Sequence, residues 1–353
     1  MPIQQITIDE FIKMDTSTFL LLDVRSPSEY THAHIPSAFN IPLFIDEERK
    51  IVGTAYKQES KEKAIKLGLD FFGPKMSSMI EEVENLIAQN KILRKKKEHQ
   101  NIPIVVHCWR GGMRSAGVGW LLDLYGFKVF TIIGGYKAYR NWTLQQFETI
   151  YQFKVIGGYT GSGKTDIIHT LKKKGHTIID LEGLANHKGS AFGNLNTMPQ
   201  PSQEMFENLL AMELFNHRDE YILVEDESQR IGDINLPIKL FENKQSSPIF
   251  FLDIPFEERL KYIVKDYGKN SKEKLINAIM RIKKRLGGLD SKNAINFLLE
   301  DDIENCFAIL LKYYDKHYLK GMQNSENSNE FLTTIPLEKV DAIANTEVIL
   351  NHL

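Results

Sequence analysis

Short apolar runs alternating with longer stretches of helical period set the rhythm of this chain. Phe19–Val24, Ile104–Val106, Val129–Ile133, Phe153–Ile156, Thr177–Asp180, Tyr221–Val224 and Ile249–Asp253 are too short for helices and read as strands buried on both faces. Between them lie amphipathic segments. Ala116 to Tyr125 is closed by Gly126, Gly134-Gly135-Tyr136 opens a helix toward Phe147, and Lys164 to Lys174 stops at Gly175. Pro255 stands at a good first-turn position for a helix carrying Glu257, Glu258 and Arg259. Ser271 to Gly288 places Leu275, Ile279 and Ile282 on one face. Ser78-Met79-Ile80-Glu81 has the spacing of a capping box and predicts a helix start there, with Ile80, Val83, Leu86 and Ile87 facing the core. Strand–helix–strand alternation predicts parallel α/β sheets. It occurs twice, with a boundary near residues 145–152, so we expect domains at 1–147 and 148–353, the second with a helical C-terminal part. A length of 353 residues allows two cores.

Composition narrows the classes. Apolar content of 42% and charged content of 25% describe an ordinary soluble protein. A net charge of −2 does not advertise a nucleic-acid binder, but clustering matters more than the sum. One cluster runs from Lys91 to Lys97 (Lys91, Arg94, Lys95, Lys96, Lys97). Another, Arg281, Lys283, Lys284 and Arg285, crowds a helix C-terminus, where the dipole alone favours cations. Lys95, Lys96, Lys97, Arg281, Lys284 and Arg285 are candidate contacts to an RNA backbone. The Tyr313–Tyr318 cluster reads as aromatic packing, with base stacking as the alternative. Two distant cysteines, Cys108 and Cys306, form no disulfide framework and fit a reducing compartment; Cys306 lies in an apolar stretch and reads as core. No apolar run approaches the ~20 residues that span a bilayer, and Met1–Gln5 lacks a signal-peptide layout. A cytoplasmic protein without membrane contact is expected.

Two motifs carry chemistry. In His107-Cys108-Trp109-Arg110-Gly111-Gly112-Met113-Arg114-Ser115 a strand ends in a cysteine, followed by a glycine-containing loop and a helix start. Backbone N–H groups and the helix N-terminus gather under the thiol, and Arg110 and Arg114 add positive charge, so the thiolate nucleophile is favoured. Six positions separate Cys108 from Arg114, a loop that suits a tetrahedral oxyanion such as a phosphomonoester or selenophosphate. Trp109, Gly111, Gly112 and Met113 complete that oxyanion loop. The second motif, Gly158-Tyr159-Thr160-Gly161-Ser162-Gly163-Lys164-Thr165, matches the P-loop in its strand-then-helix context. Its glycines let the backbone wrap a di- or triphosphate, Lys164 supplies a point charge, and Thr165 offers a hydroxyl for Mg²⁺ if metal is used. Glu225, Asp226 and Glu227 follow a strand, where a carboxylate would hold Mg²⁺ through water; which of them does so is open. Asp180 is a further candidate. Asp23 and Arg25 are either site residues or a structural pair.

The Cys108 loop resembles that of rhodanese-type sulfurtransferase domains, whose cysteine carries or transfers sulfur or selenium. Asp23-Val24-Arg25-Ser26-Pro27-Ser28-Glu29-Tyr30 and His34-Ile35-Pro36-Ser37-Ala38 agree with that pattern, except that Ala33 and Ser37 stand where it usually has glycine. Further strings extend the likeness over nearly the whole chain: Asp180–Ala185, Lys188–Gly193, and Glu225–Ser228 with Ile231-Gly232. Together with the two loops they resemble the tRNA 2-selenouridine synthase family. The resemblance implies a rhodanese-like domain fused to a P-loop domain. It also implies two reactions on the wobble 2-thiouridine in a tRNA anticodon stem-loop, S-geranylation by geranyl diphosphate and then selenation by selenophosphate; from the loop chemistry we expect Gly158–Thr165 to serve the first and Cys108 with Arg110 and Arg114 the second. Selenophosphate is free or handed over by selenophosphate synthetase, and no tightly bound cofactor is expected. The rival readings are an ATP-dependent kinase or ATPase fused to a sulfur carrier, and a regulatory module, phosphatase-like or anion-sensing, with a P-loop partner and no RNA chemistry.

Overall fold

The computed structural model describes residues 3–90, 92–93, 102–189, 198–323 and 331–353. Two compact units emerge, Met1–Gln145 with Glu207–Leu209, and Gln146–Phe206 with Leu210–Leu353.

The first unit holds five parallel strands: β1 (Gln4–Ile6), β2 (Leu20–Asp23), β3 (Phe39–Asn40), β4 (Pro103–His107) and β5 (Lys128–Ile132), in the order β1-β5-β4-β2-β3. Ile104, Val105, Val106 and His107 of the central β4 are wholly buried, which explains its unbroken apolar run. Asp23 pairs in register with His107, so the polar end of β2 lies beside the residue preceding Cys108. The long connection between β3 and β4 contains helices Asp46–Gln58, Lys61–Phe72 and Met76–Gln89. The last corrects an expectation. It begins at Met76, directly after a 3₁₀ turn at Gly73–Lys75, and the Ser78 hydroxyl donates back to the Lys75 carbonyl instead of capping a new start. A hydroxyl inside a first turn has this alternative. Met79, Val83 and Ile87 are buried in the same core as Leu22, Val106 and Leu122.

The second unit has β6 (Gln152–Gly158), β7 (Ile178–Ile179), β8 (Tyr221–Glu225), a small antiparallel hairpin of β9 (Arg230–Ile231) and β10 (Ile234–Asn235), then β11 (Ile249–Asp253) and β12 (Leu332–Pro336). The parallel order is β12-β11-β6-β8-β7. The P-loop strand β6 is central, and Ile156 lies opposite Glu225 in β8. Helices Phe256–Tyr267, Lys272–Leu286, Gly288–Leu299 and Ile303–Gln323 pack round Leu260, Ile279, Leu298 and Phe307. Among the described residues no helix is long and apolar enough to cross a membrane.

Candidate active sites

Cys108 leaves β4 at the C-terminal end of the parallel sheet of the first unit, where loops of such sheets build sites. The following helix, Met113–Tyr125, starts within hydrogen-bond reach of its sulfur. The Gly112 N–H donates to Sγ at 3.3 Å, and Ser115 Oγ lies 3.3 Å from it and 3.0 Å from the Gly112 carbonyl. Burial opposes ionisation of the thiol. The Ser115 hydroxyl and N–H, the Arg114 charge and the Gly112 N–H outweigh it and hold the pKa below the ordinary thiol value. The loop is braced by the turn and helix start that follow β5. Tyr136 N–H donates to the Cys108 carbonyl at 2.8 Å and Lys137 N–H to that of Trp109 at 2.9 Å. Gly111 and Gly135 meet so closely there, both at positive φ, that a Cβ on Gly135 would stand 2.3 Å from the Cys108 oxygen and 2.5 Å from the Gly111 nitrogen.

Cys108, Trp109, Arg110, Gly112, Met113 and Arg114 line one cavity of about 900 Å³. Gly111 serves as a brace. Arg114 is not aimed at the sulfur alone: its guanidinium donates to Glu29 at 2.7 Å, and Glu29, with Arg49 3.6 Å away, stays ionised below the usual carboxylate range despite burial. Asp23 and Arg25 form a buried pair at 2.6 Å, with Arg25 also donating to the Ala33 carbonyl and stacking over Tyr136 at 3.9 Å. That is the structural role. The pair orders the chain after β2 and does not line the cavity.

In the second unit Gly158, Gly161 and Gly163 all adopt positive φ, and Lys164, the first residue of the Lys164–Lys173 helix, turns its ammonium to the Gly158 carbonyl at 2.8 Å. Buried Arg259 clamps the loop from outside, donating to the Thr160 carbonyl at 3.0 Å and to both oxygens of Asp315. Tyr159 packs edge-on to Phe251 and Tyr318. Ser162 is buried and its hydroxyl has no partner among the described residues.

The carboxylates left open by the sequence separate clearly. Asp226 accepts from Lys244 at 3.0 Å and Tyr318 at 2.6 Å; half-buried, it is held ionised by that lysine. Its charge is already satisfied. Glu225 is fully buried, and burial plus the neighbouring Glu182 and Glu227 push its pKa well up against a hydrogen bond with Thr165. Glu227 is pushed up to about 8 by burial and Glu182. Asp180 caps the Leu181–Ala185 helix at the Gly183 N–H and contacts His169 at 2.7 Å. Thr165 donates to Glu182 at 2.9 Å, and burial raises that carboxyl despite Lys164.

Lys95, Lys96 and Lys97 lie outside the described residues. Arg281, Lys284 and Arg285 are on the exposed side of the Lys272–Leu286 helix, opposite buried Leu275, Ile279 and Ile282. Arg285 lines a basic cleft of about 470 Å³ with Lys312, Tyr313, Lys316, His317 and Lys320.

Residues 151–348 match the tRNA 2-selenouridine synthase AAA domain, and residues 7–141 match a rhodanese-like domain. The chain belongs to the tRNA 2-selenouridine synthase family. A family member from Nitrosomonas europaea, named tRNA 2-selenouridine synthase, is 39% identical over 271 residues, 74% of this chain and 67% of that protein. One of the same name from Sulfurovum sp. is 39% identical over 292 residues, 76% of each. A third, from Shewanella frigidimarina, is 33% identical over 342 residues, covering 87% of this chain and 89% of its own. Within this family's two-part architecture, sequence reasoning passed over Glu182, Ser115 and the Glu29–Arg114 pair as site residues. Ser115 had a local signal, two residues into the helix that closes the cysteine loop. Glu29 stood in the rhodanese-like pattern, but its pairing with Arg114 had no local signal, because the two are 85 positions apart.

Proposed function

We propose that this chain converts wobble-position 2-thiouridine in tRNA to 2-selenouridine, using its two loops for separate steps. The reading is carried by one observation: a cysteine whose thiol is held toward the thiolate occurs in the same chain as a P-loop. The names of its relatives support the same activity. In the first step the 2-thio sulfur attacks C1 of geranyl diphosphate. A C–S bond forms, the C–O bond breaks, diphosphate leaves with the electron pair, and the N3 proton passes to solvent. The P-loop N–H groups and Lys164 meet the charge that develops on the diphosphate.

In the second step the Cys108 thiolate attacks the phosphorus of selenophosphate. An S–P bond forms, the P–Se bond breaks, and hydrogen selenide leaves as the anion. Attack at phosphorus is preferred because the selenium is already at the selenide level, and moving it onto a thiol would need an oxidant. Hydrogen selenide adds to C2 of the S-geranyl base and expels geranyl thiolate, which takes a proton from water. The selenium's proton ends on N3, and water clears the phosphoryl group from Cys108. Alkylation in the first step makes the sulfur a better leaving group in the second.

Mg²⁺ suits the P-loop site, because the buried Glu225 carboxyl, Glu182 and the Thr165 hydroxyl gather there the oxygen donors that this ion prefers. Among the described residues no group of three or more His, Cys, Asp or Glu side chains makes a metal cage, so the ion would rely on substrate oxygens and water, as Mg²⁺ commonly does. When bound it would neutralise diphosphate oxygens.

The test is nucleoside mass analysis of 2-thiouridine tRNA incubated with geranyl diphosphate and selenophosphate. Cys108→Ala should accumulate S-geranyl-2-thiouridine, with selenation down by roughly 10³-fold or more. Lys164→Ala should slow geranylation by about 10²–10³-fold. If Cys108→Ala stops geranylation and spares selenation of pre-geranylated RNA, the assignment is reversed. RNA-stimulated ATP hydrolysis with no modified nucleoside would favour an ATPase instead.

A further inference from the structure

The cavity at Cys108 is far larger than a selenophosphate needs, and most of its wall is apolar. About 900 Å³ lies at the upper end of what a small-molecule site encloses. Helices Asp46–Gln58, Lys61–Phe72 and Met113–Tyr125 supply the wall, with Tyr56, Ile65, Leu69, Met113 and Trp120 standing at 40–57% exposure. So many large apolar side chains open to solvent round one hollow mark a binding surface. The rim is cationic, with Arg49, Lys50, Lys57, Arg110 and Arg114. The Cys108 thiol lines the same hollow.

Two glycines on these helices point the same way. Gly53 and Gly117 both line the hollow, and neither has a positive φ that would demand glycine. A Cβ on Gly53 would meet nothing within 4 Å, and one on Gly117 would meet only Phe72 at 3.9 Å. Neither a backbone need nor a packing clash accounts for them, yet each weakens its helix relative to alanine. What they preserve is empty space.

From this we infer that the cavity holds the prenyl chain of the S-geranyl intermediate during selenation. This rests on the two-step reading above and adds where the apolar group goes. An apolar chain joined to a polyanion is the ligand that fits an apolar hollow with a basic rim. With the chain inside and RNA phosphates at the rim, the C2–S bond lies at the mouth beside Cys108. The same walls then receive the departing geranyl thiol.

The experiment uses the full chain and two synthetic anticodon stem-loops, one with S-geranyl-2-thiouridine and one with 2-thiouridine at the wobble position. Wild-type protein should bind the geranylated RNA at least tenfold more tightly. Gly53→Phe should bring that ratio toward one and slow selenation of the geranylated RNA about tenfold or more. Gly53→Ala, which adds one methyl and favours the helix, should melt no lower than wild type and lose only a small part of the ratio; it guards against misreading a folding defect. If wild type converts the geranylated RNA and Gly53→Phe does so equally well with its ratio intact, the cavity assignment falls and the two-step reading stands. A wild-type chain that leaves the geranylated RNA unconverted overturns the two-step reading itself. A dimer abolished by Gly53→Phe, with RNA discrimination retained, would give the face to a second copy instead.

Discussion

The two cysteines occupy opposite environments, and the difference is local. Cys306 lies in the apolar helical core, and burial pushes its thiol up to about 12. Cys108 is as deeply buried, but donors face its sulfur. Alkylation by iodoacetamide, followed by peptide mass analysis across pH, should show Cys108 reacting with a midpoint below the roughly 8.5 of a free thiol, while Cys306 stays unmodified in the folded protein. Ser115→Ala removes the hydroxyl and should raise the midpoint, so the loss of reactivity is greatest at low pH and recovers as pH rises. An unchanged midpoint would mean that the N–H groups and Arg114 suffice alone. Arg114 acts partly through Glu29, which fixes where its charge stands.

At the scale of elements, the turn after β5 has more to do with the cysteine loop than its place in the chain suggests. Gly135→Ala should push the loop off its brace, costing about 1–3 kcal/mol for the strained backbone and the close contact. Selenation should suffer while geranylation continues, which denaturant melts and the two separate nucleoside assays would show. The strands and loops that carry the motifs were legible in the sequence because each is a continuous local run. The carboxylates after β8 were only half legible. Alternation puts Glu225 and Glu227 on one side and Asp226 on the other, but nothing local says which side faces Lys164. Ser37 shows what a departure means: it adopts φ +66, a conformation that favours glycine, whereas Ala33 at φ −166 is ordinary extended backbone. β12 escaped notice because only Ile335 is buried within it, leaving no alternating pattern. The cavity escaped too, since the residues that line it share helices with core residues and give the same amphipathic period.

For the molecule as a whole, the two units should answer pH differently. In the first, Asp23 and Glu29 have lowered pKa values, so their contribution to stability is complete above about pH 5 and is lost only as pH falls through those values. Between pH 6 and 8 this unit should if anything gain stability as pH rises, because burial holds His107 and His34 below the ordinary imidazole value and the donors around Cys108 hold its thiol below the ordinary thiol value, so the unfolded state binds the extra protons. In the second, Glu182, Glu225 and Glu227 are raised, chiefly by burial and then, for Glu225 and Glu227, by repulsion from neighbouring carboxylates. A carboxyl raised on folding keeps its proton in the native state and gives it up when unfolded. From roughly pH 4.5 upward the folded state therefore binds the extra proton, and stability falls as pH rises toward the folded values. The melting temperature of the second unit should drop from pH 6 to 8, by roughly 2–4 °C for each kcal/mol lost. Glu225→Gln carries no charge to bury, so it should melt higher than wild type at pH 8 and show a flatter slope. A wild-type melting temperature that is level across this range, or a Gln variant with an unchanged slope, would mean that the cluster is already neutralised by other means. If the slope is present, diphosphate with Mg²⁺ should reduce it, because a cation at Glu225 favours the carboxylate that burial alone disfavours.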